Sequence, residues 1–203
     1  MRHLKRLARV FSPLMLLLTL TTSPASAGPL EEGTNAYEQG DYSTALRLLL
    51  PLAENGQKEA QATIGFMYLT GRGVPQDNLE GSKWFRKAAD QGHLLAQSNL
   101  GLMYLFGQGV PQDSQTAMKY LQKSADQGDG LGQFGLGIMY LGGKGVAQDP
   151  VKALMWFTLA ANSEPAGSNV SARYRDKLSA PMTPEQISEA QRLAREWKPQ
   201  KEK

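Results

Sequence analysis

A 36-residue internal period through the middle of the chain restricts its fold more than any other feature. Units counted from Ala60, Ala96 and Gly132 bring Gly65, Gly101 and Gly137 into register, followed by Tyr68, Tyr104 and Tyr140. Two further glycine rows follow, at 71, 107 and 143 and at 73, 109 and 145, and lead into GVPQD, GVPQD and GVAQD. Trp84, Tyr120 and Trp156, then Ala89, Ala125 and Ala161, complete the register. Each repeat of this length is one supersecondary unit that buries its apolar face only against its neighbours, so the period implies a stacked array.

Inside each unit the pattern reads as two helices. From about 58 to 70, Ala60, Ile64, Met67, Tyr68 and Gly71 recur at spacings of three and four and mark one buried face. Glycine within that helix costs about 1 kcal/mol relative to alanine, and its recurrence at 65, 101 and 137 points to a close approach by the neighbouring helix backbone. Asp77, Asp113 and Asp149 stand where an N-cap begins the second helix, and Pro150 suits the first helical position. That helix runs to about Gln91 and Gln127, with Gly92 and Gly128 as left-handed C-caps, whereas the third unit meets Pro165 instead.

The ends depart from this pattern, as terminal repeats do. Residues 28–59 echo a shortened unit through Tyr37, Gly40, Asp41, Tyr42, Ala45, Leu52, Ala53 and Gly56, with Pro51 expected to kink or end its second helix. Repeats then occupy 60–95, 96–131 and 132–167, and 168–203 supplies capping helices and a polar tail. Val170 to Leu178 reads as a charged helix. Thr183-Pro184-Glu185-Gln186 is a capping box opening a helix whose apolar stripe is Ile187, Ala190, Leu193, Ala194 and Trp197.

The pattern A-x-x-x-[LI]-G-x-M-Y-x-x-G-x-G-V-x-Q-D, followed by A-x-x-[WY]-[FL]-x-x-[AS]-A, resembles the Sel-like repeat (SLR), a relative of the tetratricopeptide repeat (TPR). The resemblance covers about residues 31 to 164, and MTPEQISEAQRLAREW is similar to the capping helix of bacterial members. It implies an all-α fold, an α/α superhelical solenoid of helix-turn-helix repeats, acting as a scaffold for a protein or peptide partner. Some cysteine-rich relatives are described as penicillin-binding, so an envelope hydrolase acting on cell-wall or β-lactam substrates is the alternative.

Little in the residues supports catalysis. His93 is the sole histidine after residue 27, and the chain has no cysteine, so no set of nitrogen or sulfur metal ligands can be assembled. Neither G-x-S-x-G nor S-x-x-K occurs. The G-x-G loops follow helices and lead to an aspartate that would repel phosphate. The expectation is an interaction protein with no catalytic residue, no cofactor and no metal. Where packing positions recur, residues that change between units are candidates for contact with a partner. Positions 62, 66 and 70 share a helical face, so Phe66, Phe106 and Phe134 are the candidate anchors of a groove on the inner surface. Phe66 also aligns with Leu102 and Ile138, which would equally suit a core row.

Residues 1–27 have the three parts of a secretory signal peptide: Arg2, Lys5, Arg6 and Arg9, an apolar run from Val10 to Leu20, and Ala25-Ser26-Ala27. The apolar run is too short to span about 30 Å of hydrocarbon as a helix, which argues against stable membrane insertion once the segment is cleaved. Its removal takes four bases and no acid, leaving 18 Lys and Arg against 19 Asp and Glu. A near-neutral chain gives no basic footprint for nucleic acid. A periplasmic or secreted location follows, with cleavage after Ala27. Intact-mass measurement of the exported protein should give a chain beginning at Gly28; a mature form that keeps Arg2 to Arg9 would remove both the location and the neutral charge.

Overall fold

The computed structural model describes residues 28–163 and 170–200; the expected signal peptide and Pro165 lie outside them. Ten α-helices and no strand are found among the described residues. They are α1 (Pro29–Glu38), α2 (Tyr42–Glu54), α3 (Lys58–Thr70), α4 (Asn78–Asp90), α5 (Leu94–Phe106), α6 (Ser114–Asp126), α7 (Gly130–Gly142), α8 (Pro150–Ser163), α9 (Val170–Ser179) and α10 (Pro184–Glu196).

Consecutive helices pair antiparallel within a unit, and each odd helix also packs on the even helix before it. α1 touches α3, α3 touches α5 and α5 touches α7, whereas no comparable contact joins α2, α4, α6 and α8 to one another. The array therefore bends toward its odd helices, which form the inner face. α9 packs on α8 as a further odd helix would, and α10 covers α8. Trp197 meets Trp156 edge-on at 6.1 Å, and the tail returns to α6, where the Gln200 amide donates to the Asp126 carbonyl at 2.6 Å.

Three periodic contacts hold the units. Within each unit, the helical glycine lies beneath a large side chain of the second helix. A Cβ would sit 2.8 Å from Phe85 at Gly65, 2.7 Å from Leu121 at Gly101 and 2.5 Å from Phe157 at Gly137. The close approach expected there is thus made chiefly by a side chain, not by backbone. Phe85, Leu121 and Phe157 are all fully buried.

The loop is the second contact. Gly71, Gly107 and Gly143 cap the odd helices in the left-handed region, and the amides of Asp77, Asp113 and Asp149 return to the carbonyls of Tyr68, Tyr104 and Tyr140 at 2.9–3.0 Å. Gln76, Gln112 and Gln148 close the same loop by donating to the carbonyls of Leu69, Leu105 and Leu141, each at 2.9 Å. The second loop glycine presses on the start of the preceding even helix. A Cβ would lie 2.8 Å from Tyr42 at Gly73, 2.2 Å from the Asn78 carbonyl oxygen at Gly109 and 2.9 Å from Ser114 at Gly145.

The third contact uses buried glutamines, whose period the sequence carries at 61, 97 and 133. The Gln61 amide donates to the Ala53 carbonyl at 3.0 Å and the Gln97 amide to that of Ala89 at 3.2 Å, tying an odd helix to the end of the even helix before it. Those even-helix ends take the expected form: Gly56, Gly92 and Gly128 have φ of +93°, +81° and +90°. The amides of Gly92 and His93 return to the carbonyls of Ala89 and Ala88, a paired C-cap.

Pro51 does not end α2, which continues three residues further to Glu54. It lies exposed in the last turn, where only one amide bond is lost. The capping box at Thr183 and Gln186 is formed in both directions.

Overpacking beneath Leu121 and lost backbone freedom together predict that Gly101→Val destabilises the protein by about 2–4 kcal/mol. Asp113→Ala removes one cap and should cost about 1 kcal/mol. Urea melts that ranked the aspartate change as the more damaging would refute the packing role given to the helical glycines.

Candidate interaction surface

The inner face consists of the sides of α3, α5 and α7 left uncovered by the packing just described. On α3 the residues not fully buried after the first turn include Thr63, Phe66 and Thr70, continuing from Glu59. The equivalent stripe on α5 is Leu95, Asn99, Leu102 and Phe106, and on α7 it is Leu131, Gly135, Ile138 and Gly142. α5 is the most apolar exposed ridge of the three: Leu95 is 47% and Phe106 48% exposed, three helical turns apart on one face. The α7 stripe has lost two side chains. Gly135 is buried: a Cβ there would lie 2.5 Å from Cδ2 of Leu121 on α6 and 3.2 Å from Cδ2 of Leu102, so this position of the stripe is filled by its neighbours.

The three aromatic candidates separate here. Phe106 stands on the exposed stripe at the end of α5. Phe66 borders the same stripe but is half-buried, edge-on to Phe85 at 5.0 Å, so it serves the core of its own unit as well. Phe134 belongs to the row of Ala62 and Ser98, which are buried between units. Its ring meets Phe157 at 5.6 Å and Tyr174 of α9 at 5.2 Å, an aromatic junction that seats the terminal helix. The exposed stripe is therefore 59, 63, 66 and 70 with its equivalents, and not the line through 62, 66 and 70. A step of three rather than four at one turn rotates position 62 into the seam.

Cations mark one edge of this face. The loop positions 72, 108 and 144 carry Arg, Gln and Lys. The Arg72 guanidinium lies over the Tyr37 and Tyr42 rings and donates to the Tyr37 hydroxyl at 3.2 Å. The Lys144 stem crosses Gly142, and its ammonium lies 5.3 Å from the centre of the Phe106 ring. Sequence reasoning missed Lys144; its signal was the coincidence of a glycine at 142 with a cation two residues on.

His93 has a structural position that the sequence reading did not assign. It is the N-cap of α5, with Nδ1 accepting from the Ala96 amide at 3.3 Å, in the place where Asp129 caps α7. Among the described residues no group of three or more His, Asp or Glu side chains comes together as a metal set would, and no helix is long and apolar enough to cross a membrane.

The Sel1 repeat matches residues 58–93, 94–129 and 130–164, units that begin two residues before those counted from Ala60. The chain belongs to the Sel1 repeat family. Its fold is similar to that of a protective antigen present in uropathogenic Escherichia coli strains and described as displaying an SLR fold. That similarity has a TM-score of 0.67 and 33% identity, covering 82% of this chain and 37% of the antigen. A Sel1 repeat protein from Oxalobacter formigenes is also similar, with a TM-score of 0.67 and 31% identity over 81% of this chain and 66% of that one. The chain thus spans less than two thirds of either. No protein among those with curated functions matches it. Sel1 repeats form α/α solenoids typical of protein–protein interaction, and this chain has that architecture.

The His93 cap requires a neutral ring. Burial lowers its pKa, with Glu59 opposing and Lys58 adding to the shift. With the folded value below the unfolded one, the unfolded chain takes up the proton first as pH falls. Stability from this group is complete above the ordinary histidine range, near 6.5, and declines below it. Urea midpoints at pH 8 and pH 5.5 should differ by more for the native chain than for His93→Asp, which substitutes the Asp129 solution; equal differences would exclude the cap as their source.

Proposed function

We propose that this Sel1 repeat protein is an exported, non-catalytic scaffold that holds a segment of a protein partner against its inner face. The observation that carries the reading is the α5 stripe. A side chain required by the solenoid recurs at each unit, whereas position 106 is Phe where its equivalents are Thr70 and Gly142. Phe106 is 48% exposed on the same face of α5 as the equally exposed Leu95, where the array itself does not require a large apolar side chain, and large apolar anchors commonly dominate protein interfaces. Phe66 extends the surface onto α3, while Phe134 supports it indirectly by holding α9.

The export component rests on residues 1–27. Cleavage after Ala27 would leave the described fold whole, because α1 opens at Pro29 with its first-turn carbonyl bond from Gly28. A periplasmic or secreted location also agrees with a chain free of cysteine, which needs no disulfide in an oxidising compartment.

The test is site-specific photocrosslinking in intact cells, with a benzophenone amino acid at position 106 or at position 79. Leu79 is 55% exposed on α4, an even helix, and so serves as the outer-face control. A discrete protein adduct from position 106 and none from 79 is the expected result. Adducts of the same identity and yield from both positions would show that the inner face is not the binding surface.

A further inference from the structure

Phe106 and Lys144 have a geometry that the other units lack. Thr70 and Gln108 stand in the corresponding places one unit earlier, and the cation at 72 is already engaged by two tyrosines. Lys144 has only the Phe106 ring: no carboxylate pairs with its ammonium among the described residues. Asp149, in the same unit, pairs with Lys152 instead. The α5 and α7 stripes beside it carry no charged side chain at all.

Resting on the inner-face reading above, we propose that Phe106 and Lys144 form a subsite for an acidic side chain flanked by apolar residues on the partner segment. Desolvation sets this preference. The lysine stem is half-buried across Gly142, so any apolar segment that covers Phe106 also strips water from the ammonium. A buried, unpaired charge is costly, and an ammonium beside an aromatic face recovers only part of its hydration. A partner carboxylate supplies the missing pair; a partner cation adds repulsion to the same loss. The exposed apolar ridge from Leu95 through Leu102 to Phe106 then takes the flanking side chains. The subsite selects for apolar–acidic sequence and against apolar–basic sequence.

The experiment is selection of a random twelve-residue phage-displayed peptide library on the purified protein, with Leu95→Ser/Phe106→Ser for counter-selection. Selected peptides are then synthesised and their affinities measured by fluorescence anisotropy. Peptides with Asp or Glu next to Leu, Ile or Phe are expected, and Lys144→Glu should weaken them by at least about tenfold at low salt. The same variant, panned independently, should select Lys or Arg in place of the acid. Thermal melts of Lys144→Glu should match the native protein, since its head group meets no buried partner. Selected peptides without acidic bias, or indifferent to Lys144→Glu, would overturn the subsite while leaving the inner-face reading intact. Failure to select any peptide over the counter-selected variant would overturn both.

Discussion

The contact on which the rest of this solenoid depends is the one between the second loop glycine and the start of the preceding even helix. At Gly109 a Cβ would lie 2.2 Å from the Asn78 carbonyl oxygen and 2.3 Å from its carbon, so no side chain fits without moving backbone. The same approach recurs at Gly73 on Tyr42 and at Gly145 on Ser114. It fixes how far apart successive units stand. Helix pairing within a unit, through Gly101 and Leu121 and their equivalents, makes a rigid building block. The loop glycine then sets the step from one block to the next, and the glutamine ties to Ala53 and Ala89 hold the opposite ends of the helices.

A fixed step has a functional consequence. Because the loops and the glutamine bonds both act on the odd helices, these converge, and their outer stripes become one continuous inner face. Residues on that face are freed from packing. Glu59, Leu95 and Leu131 can differ, as can Thr70, Phe106 and Gly142, without changing the array. The scaffold thus separates two kinds of position: those that recur every 36 residues, which specify the fold, and those that change, which are available to a partner.

The architecture was legible in the sequence because a repeated constraint leaves a repeated residue. The left-handed C-caps, the Asp113-type N-caps and the helical glycines each need a particular residue type at a fixed offset and are read by register, while the single Thr183 capping box is read from its local motif. Gln76 and Gln97 carry the same signal but look like surface residues, since the bonds they make to backbone carbonyls leave no mark in hydrophobic periodicity. The surface was harder. Position 62 and position 59 lie within one turn of each other, and sequence cannot say which side the next unit covers; hence Phe134 lies in the α9 junction while Leu95 lies in the open. Lys144 acquires its place only through Gly142 and Phe106, three residues from two helices and a loop.

The central claim is that the loop glycine transmits the repeat step through close backbone approach, beyond the left-handed conformation it shares with its neighbour. Gly107 and Gly109 separate these effects, because their φ angles are +70° and +71° while their surroundings differ. A Cβ at Gly107 would meet Gln112 at an ordinary 3.4 Å. Urea unfolding of Gly107→Ala and Gly109→Ala, followed by residue-resolved hydrogen exchange, compares them directly. The account predicts that Gly107→Ala lowers stability by about 1 kcal/mol with one cooperative transition, the cost of a left-handed alanine. It predicts that Gly109→Ala costs more and uncouples the exchange protection of α1–α4 from that of α5–α10, because the contact it disturbs joins the α5–α6 unit to the start of α4. Equal costs, with protection lost together in both variants, would contradict it.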